Sequence, residues 1–124
     1  MNTTLVSTIL IVEDSPSELE LMSYYLQDAY NVVGANGAKE ALSKASLQTP
    51  DVIVTDLMMP EMSGFELCRA LKKNPHTEKI PIIICSSKNQ PIDRLWAMKQ
   101  GAETYLTKPY TREQLLEAIK SILS

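Results

Sequence analysis

The stretch Asp51-Val-Ile-Val-Thr-Asp56-Leu-Met-Met-Pro60-Glu-Met-Ser-Gly64-Phe-Glu-Leu67 decides how the rest of the chain is read. Val52, Ile53 and Val54 form the β-branched apolar run of a strand buried on both faces. The run stops at Thr55-Asp56, so a carboxylate stands where the strand leaves the core. Pro60 marks a loop, and Ser63-Gly-Phe-Glu66 opens a helix with a capping box. Open α/β sheets place their chemistry at the carboxyl ends of their strands. Aspartate after a strand is also an ordinary turn residue. Its meaning depends on what the rest of the chain brings to it.

Upstream, Thr8-Ile-Leu-Ile-Val12 is an apolar strand that ends abruptly in Glu13-Asp14. Ser15-Pro16-Ser17-Glu18 then starts a helix twice over, with proline at its first position and a capping box from Ser15 to Glu18. Leu19, Met22 and Leu26 keep helical spacing, and the helix is expected to end near Asp28. Tyr30 to Ala35 reads as a second strand. Asn36-Gly37 launches a helix carrying Ala38, Ala41, Leu42 and Ala45, which Thr49-Pro50 breaks.

Downstream of Asp56, Phe65, Leu67, Cys68 and Leu71 lie on a third helix that stops around Asn74-Pro75. His76 to Lys79 reads as a polar surface loop. Ile80 to Cys85 is a fourth strand ending in Ser86-Ser87. Pro91 and Asp93 open a fourth helix, with Ile92, Leu95 and Trp96 on one side, and Gln100-Gly101 closes it. Thr104-Tyr105-Leu106 is a short fifth strand, followed by Lys108-Pro109. Thr111 to Gln114 is another capping box, and Leu115, Leu116, Ile119 and Leu123 give the last helix its apolar face.

Five alternations of strand and helix with short connections predict an α/β fold, a parallel sheet with helices on both faces. Of the doubly wound orders, 2-1-3-4-5 suits five strands. That order sets the first and third strands side by side and brings Glu13 and Asp14 next to Asp56. The 124 residues make a single domain, with no linker, repeat or appended output domain in view. The net charge of −3 argues against direct nucleic-acid binding. Cys68 and Cys85 share no metal spacing with each other or with His76, the one histidine, and read as small buried hydrophobes. No apolar run approaches the roughly 20 residues that span a bilayer. Met1 to Ser7 lacks the basic start and apolar core of a secretory signal, so the expected location is cytoplasmic.

Three carboxylates at one sheet edge repel one another, and a hard divalent cation resolves the conflict. Mg²⁺ takes oxygen ligands, often one or two carboxylates with phosphate oxygens, and Mn²⁺ suits the same donors. Ser86 ends the fourth strand with a hydroxyl, and Lys108 ends the fifth with an ammonium. An Asp, a cation, a hydroxyl and a lysine together fit phosphoryl transfer onto Asp56, a reaction of placement and charge neutralisation. Each part has a plainer reading alone. Glu13-Asp14 also favours the dipole of the helix that follows, Lys108-Pro109 is also a solvated turn, and Ser86 is also a strand terminator. The cis or trans state of the Lys108–Pro109 bond is open from sequence.

With these residues assembled, the chain closely resembles the receiver domains of two-component response regulators, of the stand-alone chemotaxis-receiver type. The likeness rests on Ile-Val-Glu13-Asp14-Ser, Val-Thr-Asp56-Leu-Met-Met-Pro60-x-Met-x-Gly64, Ile-Ile-Cys-Ser86-Ser, and Gly101-Ala102-x-x-Tyr105-Leu-x-Lys108-Pro109. It implies a flavodoxin-like (βα)5 fold with Asp56 as phosphoacceptor. Asp14, Asp56 and the backbone carbonyl of Met58 would bind Mg²⁺, with Glu13 acting through a water. Ser86 and Lys108 would hold the phosphoryl group, and Tyr105 would be the aromatic rotamer switch. The implied partners are a histidine kinase or phosphotransfer domain and a downstream protein. The latter would be met at the face made by the fourth helix, fifth strand and fifth helix, with Trp96 as an anchor. The fourth-helix stretch is similar to receivers of type IV pilus twitching-motility and phototaxis systems.

Two positions depart from the pattern of fast receivers. Met58 and Lys88 occupy places that tune dephosphorylation in the family, and neither is a water-positioning acid or amide. A long-lived phosphorylated form follows as the expectation. Glu13 stands where aspartate is commoner. An Asp-nucleophile phosphatase of the haloacid-dehalogenase kind is a rival, but it wants an acid where Met58 stands. A flavodoxin-like electron carrier wants a hydroxyl-rich phosphate loop where Glu13-Asp14 stand. Within the receiver reading, a phosphorelay intermediate or a phosphate sink are further alternatives to a motility output.

Overall fold

The computed structural model describes residues 6–124, so the reading of the chain start falls mainly outside the described residues. Its elements alternate in the expected order: β1 (Thr8–Val12), α1 (Pro16–Leu26), β2 (Asn31–Ala35), α2 (Ala38–Gln48), β3 (Val52–Asp56), α3 (Gly64–Lys72), β4 (Ile82–Ser86), α4 (Pro91–Lys99), β5 (Thr104–Thr107) and α5 (Arg112–Leu123). The strands form one parallel sheet in the order β2-β1-β3-β4-β5. This is the predicted flavodoxin-like architecture.

Period-two alternation along each strand divides the core between two faces. Leu10, Val12, Ile53, Ile82 and Ile84 point toward α2, α3 and α4. Ile9, Ile11, Val52, Val54, Ile83 and Cys85 point toward α1 and α5. Every residue of β3 and β4 is buried, as their unbroken apolar runs require. Burial pushes the Cys85 thiol up to about 12 and that of Cys68 to about 11, so both are inert hydrophobes. Among the described residues, no helix is long and apolar enough to cross a membrane.

Three local expectations are corrected. The Ser15–Glu18 capping box is only half made. The Ser15 hydroxyl accepts from the Glu18 N–H at 3.4 Å, but the Ser15 N–H donates to Glu13 at 3.1 Å. Glu13 lies closer to that N–H, which leaves the Glu18 carboxylate for another partner. The boxes at Ser63–Glu66 and Thr111–Gln114 form in full. Thr77 is buried within the segment expected to be surface loop, and its hydroxyl donates at 2.7 Å to the Leu71 carbonyl in the last turn of α3. The fourth strand begins at Ile82 and not Ile80; Pro81 keeps a role through its carbonyl, which accepts from the Ile53 N–H.

The apolar side of α4 faces solvent. Only Ala97 of that helix is buried, and Ile92, Leu95 and Trp96 stand about half exposed. The small Ala97 seats the helix on the sheet, so the large apolar side chains face outward. The apolar period is present, but it marks a surface.

Candidate functional site

The sheet register assembles the site. Val12 pairs with Thr55 and Asp56 with Cys85, so the ends of β1, β3 and β4 lie at one level. The Lys108 N–H donates to the Ser86 carbonyl at 2.8 Å, which fixes the lysine at the same edge. The Lys108–Pro109 bond is cis. Strand ends that are remote in sequence thus converge.

One carboxylate oxygen each from Glu13, Asp14 and Asp56 lies within 4.8 Å of the others. Glu13 and Asp56 are buried and Asp14 is exposed. The lysine Nζ donates to Asp56 Oδ1 at 2.8 Å and also stands 3.6 Å from Glu13 and 3.5 Å from Glu18. Burial pushes the Glu13 carboxyl up to about 7; the Ser15 N–H and Lys108 pull it down, and the Asp56 carboxylate adds to the rise. Burial also raises Asp56 above the usual aspartate range despite the hydrogen bond from Lys108. For Lys108, burial acts downward, but Asp56, Glu13 and Glu18 outweigh it and hold the ammonium well above the ordinary lysine value.

Two buried acids raised in pKa beside a third exposed acid form a hard-oxygen donor set. Such a set fits Mg²⁺, which tolerates few protein ligands and keeps waters on its open side. Glu13, Asp14 and Asp56 are the residues that would hold it.

The loop from β3 to α3 is drawn tightly over the end of β3. The Gly64 N–H donates to the Leu57 carbonyl at 2.8 Å, and a Cβ at Gly64 would lie 2.6 Å from the Asp56 carbonyl oxygen. Only glycine permits that approach. Met58 lies in this loop, 61% exposed.

Ser86 and Tyr105 are connected through one residue. The buried Ser86 hydroxyl accepts from the Lys88 N–H at 3.1 Å, and the Tyr105 hydroxyl donates to the Lys88 carbonyl at 2.7 Å. Tyr105 lies buried on the α4 side of the sheet, and Arg94 of α4 donates to its carbonyl. The Lys88 side chain is exposed and joins neither group. Trp96 lies outside the cluster, on the solvent face of α4. The structure therefore brings together Glu13, Asp14, Asp56 and Lys108, with Ser86 at the adjoining strand end and Tyr105 linked to it.

Glu18 is the member that sequence reasoning missed. The capping pattern explained it fully as a local residue. Its position in the first turn of a helix leaving the acidic strand end was the available signal.

A parallel five-stranded sheet with this acidic cluster and lysine at its carboxyl edge defines a receiver domain. The chain belongs to the response regulator receiver domain family, which it matches over residues 9–120. It is 38% identical over 120 residues to the protein PilH of Pseudomonas aeruginosa, covering 96% of this chain and 99% of PilH. The solved structure of the chemotaxis response regulator CheY4 of Vibrio cholerae superposes with a TM-score of 0.90 at 33% identity, covering 95% of this chain and 99% of that one. The receiver domain of the sensor histidine kinase PA1611 from Pseudomonas aeruginosa has a magnesium ion in its active-site cleft. It superposes at 0.87 with 26% identity, covering 97% and 100%. Other curated relatives are longer, and the chain spans about half of the Bacillus subtilis regulator PhoP, at 48%.

Proposed function

We propose that this protein is a phosphorylation switch in which Asp56 takes a phosphoryl group from the phosphohistidine of a histidine kinase or phosphotransfer domain. An Asp56 carboxylate oxygen would bond to phosphorus as the phosphorus–nitrogen bond breaks and the imidazole departs. The observation that carries this reading is the Lys108–Asp56 contact at 2.8 Å inside the Glu13, Asp14 and Asp56 cluster. Phosphoryl transfer needs charge neutralisation at the phosphoryl oxygens more than it needs a base. Lys108 supplies one such group, and the Ser86 hydroxyl, at the adjoining strand end, would supply a second. Mg²⁺, when bound, would supply the third: Asp14, Asp56 and the Met58 carbonyl would hold it, with Glu13 assisting through a water.

Drawing the Ser86 hydroxyl toward a phosphoryl oxygen would disturb its bond from the Lys88 N–H. The Lys88 carbonyl holds Tyr105, so the change passes to α4 and β5. The face formed by α4, β5 and α5 then presents a different surface to a downstream protein, with Trp96 as an exposed anchor. The likeness to the chemotaxis response regulator CheY4 supports a chemotaxis-like motility pathway. An Asp-nucleophile phosphatase would need an acid in place of the exposed Met58.

The test is incubation with acetyl phosphate and Mg²⁺, followed by intact mass over time. Wild type is expected to gain one phosphoryl group and Asp56→Asn none. With neither Met58 nor Lys88 able to position water, the adduct is expected to outlast the seconds of a fast receiver. Equal labelling of the variant would refute the assignment, and decay within seconds would refute the slow hydrolysis.

A further inference from the structure

We infer that Glu18 is a specificity-determining residue: its carboxylate, beside the Lys108 ammonium, disfavours small, highly charged phosphodonors from free solution. The inference rests on the phosphoacceptor reading of Asp56 and concerns which donors that site accepts.

Glu18 lies 3.5 Å from Lys108 Nζ, and Asp56 lies 2.8 Å from the same atom. Its side chain is half exposed, whereas Glu13 is buried. Glu18 and Lys108 both line an open groove of about 460 Å³ between α1 and the loop after β5, together with Leu21, Tyr25 and Tyr110. A phosphoryl oxygen that reaches Lys108 must therefore approach a carboxylate already in contact with the same ammonium. Glu18 is not needed to cap α1, since Glu13 takes the Ser15 N–H. Its carboxylate is thus directed at the lysine and not spent on the helix.

The consequence is electrostatic. At separations of several ångströms in a partly hydrated cleft, one extra negative charge repels a dianion about twice as strongly as a monoanion. Free acyl phosphates are dianions at neutral pH. Phosphoramidate, with its protonated nitrogen, carries a net single negative charge. A protein-borne phosphohistidine has a docking surface to offset the repulsion, and a free small molecule has none.

The experiment compares acetyl phosphate with phosphoramidate, each with Mg²⁺, on wild type, Glu18→Gln, Glu18→Asp and Glu20→Gln. In both reactions an Asp56 oxygen bonds to phosphorus. The phosphorus–oxygen bond breaks to release acetate, or the phosphorus–nitrogen bond breaks to release ammonia. Glu18→Gln is expected to raise the second-order rate with acetyl phosphate roughly 3- to 10-fold and with phosphoramidate about 2- to 3-fold. The difference between donors should shrink at high salt. Glu18→Asp should retain the wild-type preference, and the exposed Glu20 on the same helix should have no effect. A change by the same factor for both donors would mean that Glu18 only orients Lys108, and would overturn the inference. No change would overturn it equally. If wild type takes phosphate from neither donor, the phosphoacceptor reading itself fails.

Discussion

Glu13 shows how a single residue carries the tension in the site. Its carboxyl is pushed from 4.5 up to about 7, so the folded protein binds a proton there that the unfolded chain releases. Stability from that proton is complete below the unfolded value and is lost as pH rises through about 7. Glu13→Gln removes the burden. In chelator, the variant is expected to exceed wild type by roughly 1–3 kcal/mol near pH 8 and to match it near pH 4. Urea titrations at the two pH values measure this, and a variant less stable at the higher pH would contradict it. Asp56 and Lys108 were legible in the sequence because each terminates an apolar run, which places it at a sheet edge. Glu18 was not legible. Its capping pattern gave a complete local explanation, and only the packing of α1 beside the end of β5 reveals Lys108 as its partner.

At the scale of elements, the loop between β3 and α3 closes over Asp56. Gly64 is held there by backbone on two sides, with the Asp56 oxygen 2.6 Å and the Leu57 Cα 3.0 Å from where a Cβ would be. Backbone cannot move aside as a flexible side chain can. Gly64→Ala is therefore expected to cost roughly 2–4 kcal/mol and to weaken Mg²⁺ binding. Thermal melts and a metal titration test it, and wild-type values in both would refute the strain. The helices and strands themselves were readable from period and caps. What could not be read was which apolar side of a short helix faces the sheet. In α4 the small Ala97 is buried and the larger Ile92, Leu95 and Trp96 are not. A period gives a stripe; burial depends on how closely the helix is seated. Thr77 went unread for a related reason, since its burial goes with a hydroxyl bond to the Leu71 main-chain carbonyl.

For the whole molecule, the order 2-1-3-4-5 makes function a consequence of topology. Adjacent β1 and β3 bring the acids together, while β4 and β5 add the hydroxyl and lysine and lead outward to α4. Strand order was inferable because parallel crossovers leave few choices. The hydrogen-bonded path through Lys88 was not, because it uses main-chain atoms that no motif specifies. Lys108→Ala is expected to accept a phosphoryl group while losing the change in Trp96 fluorescence expected of wild type on phosphorylation. A full response in that variant would mean that the signal bypasses the lysine. The most direct measurement of the central claim is chemical trapping. Borohydride reduction of the phosphorylated protein converts an acyl phosphate to an alcohol at its own residue, which peptide mass then locates. Conversion at Asp56 alone is the expected result; conversion at another acid, or phosphate left on Ser86 or His76, would contradict the account.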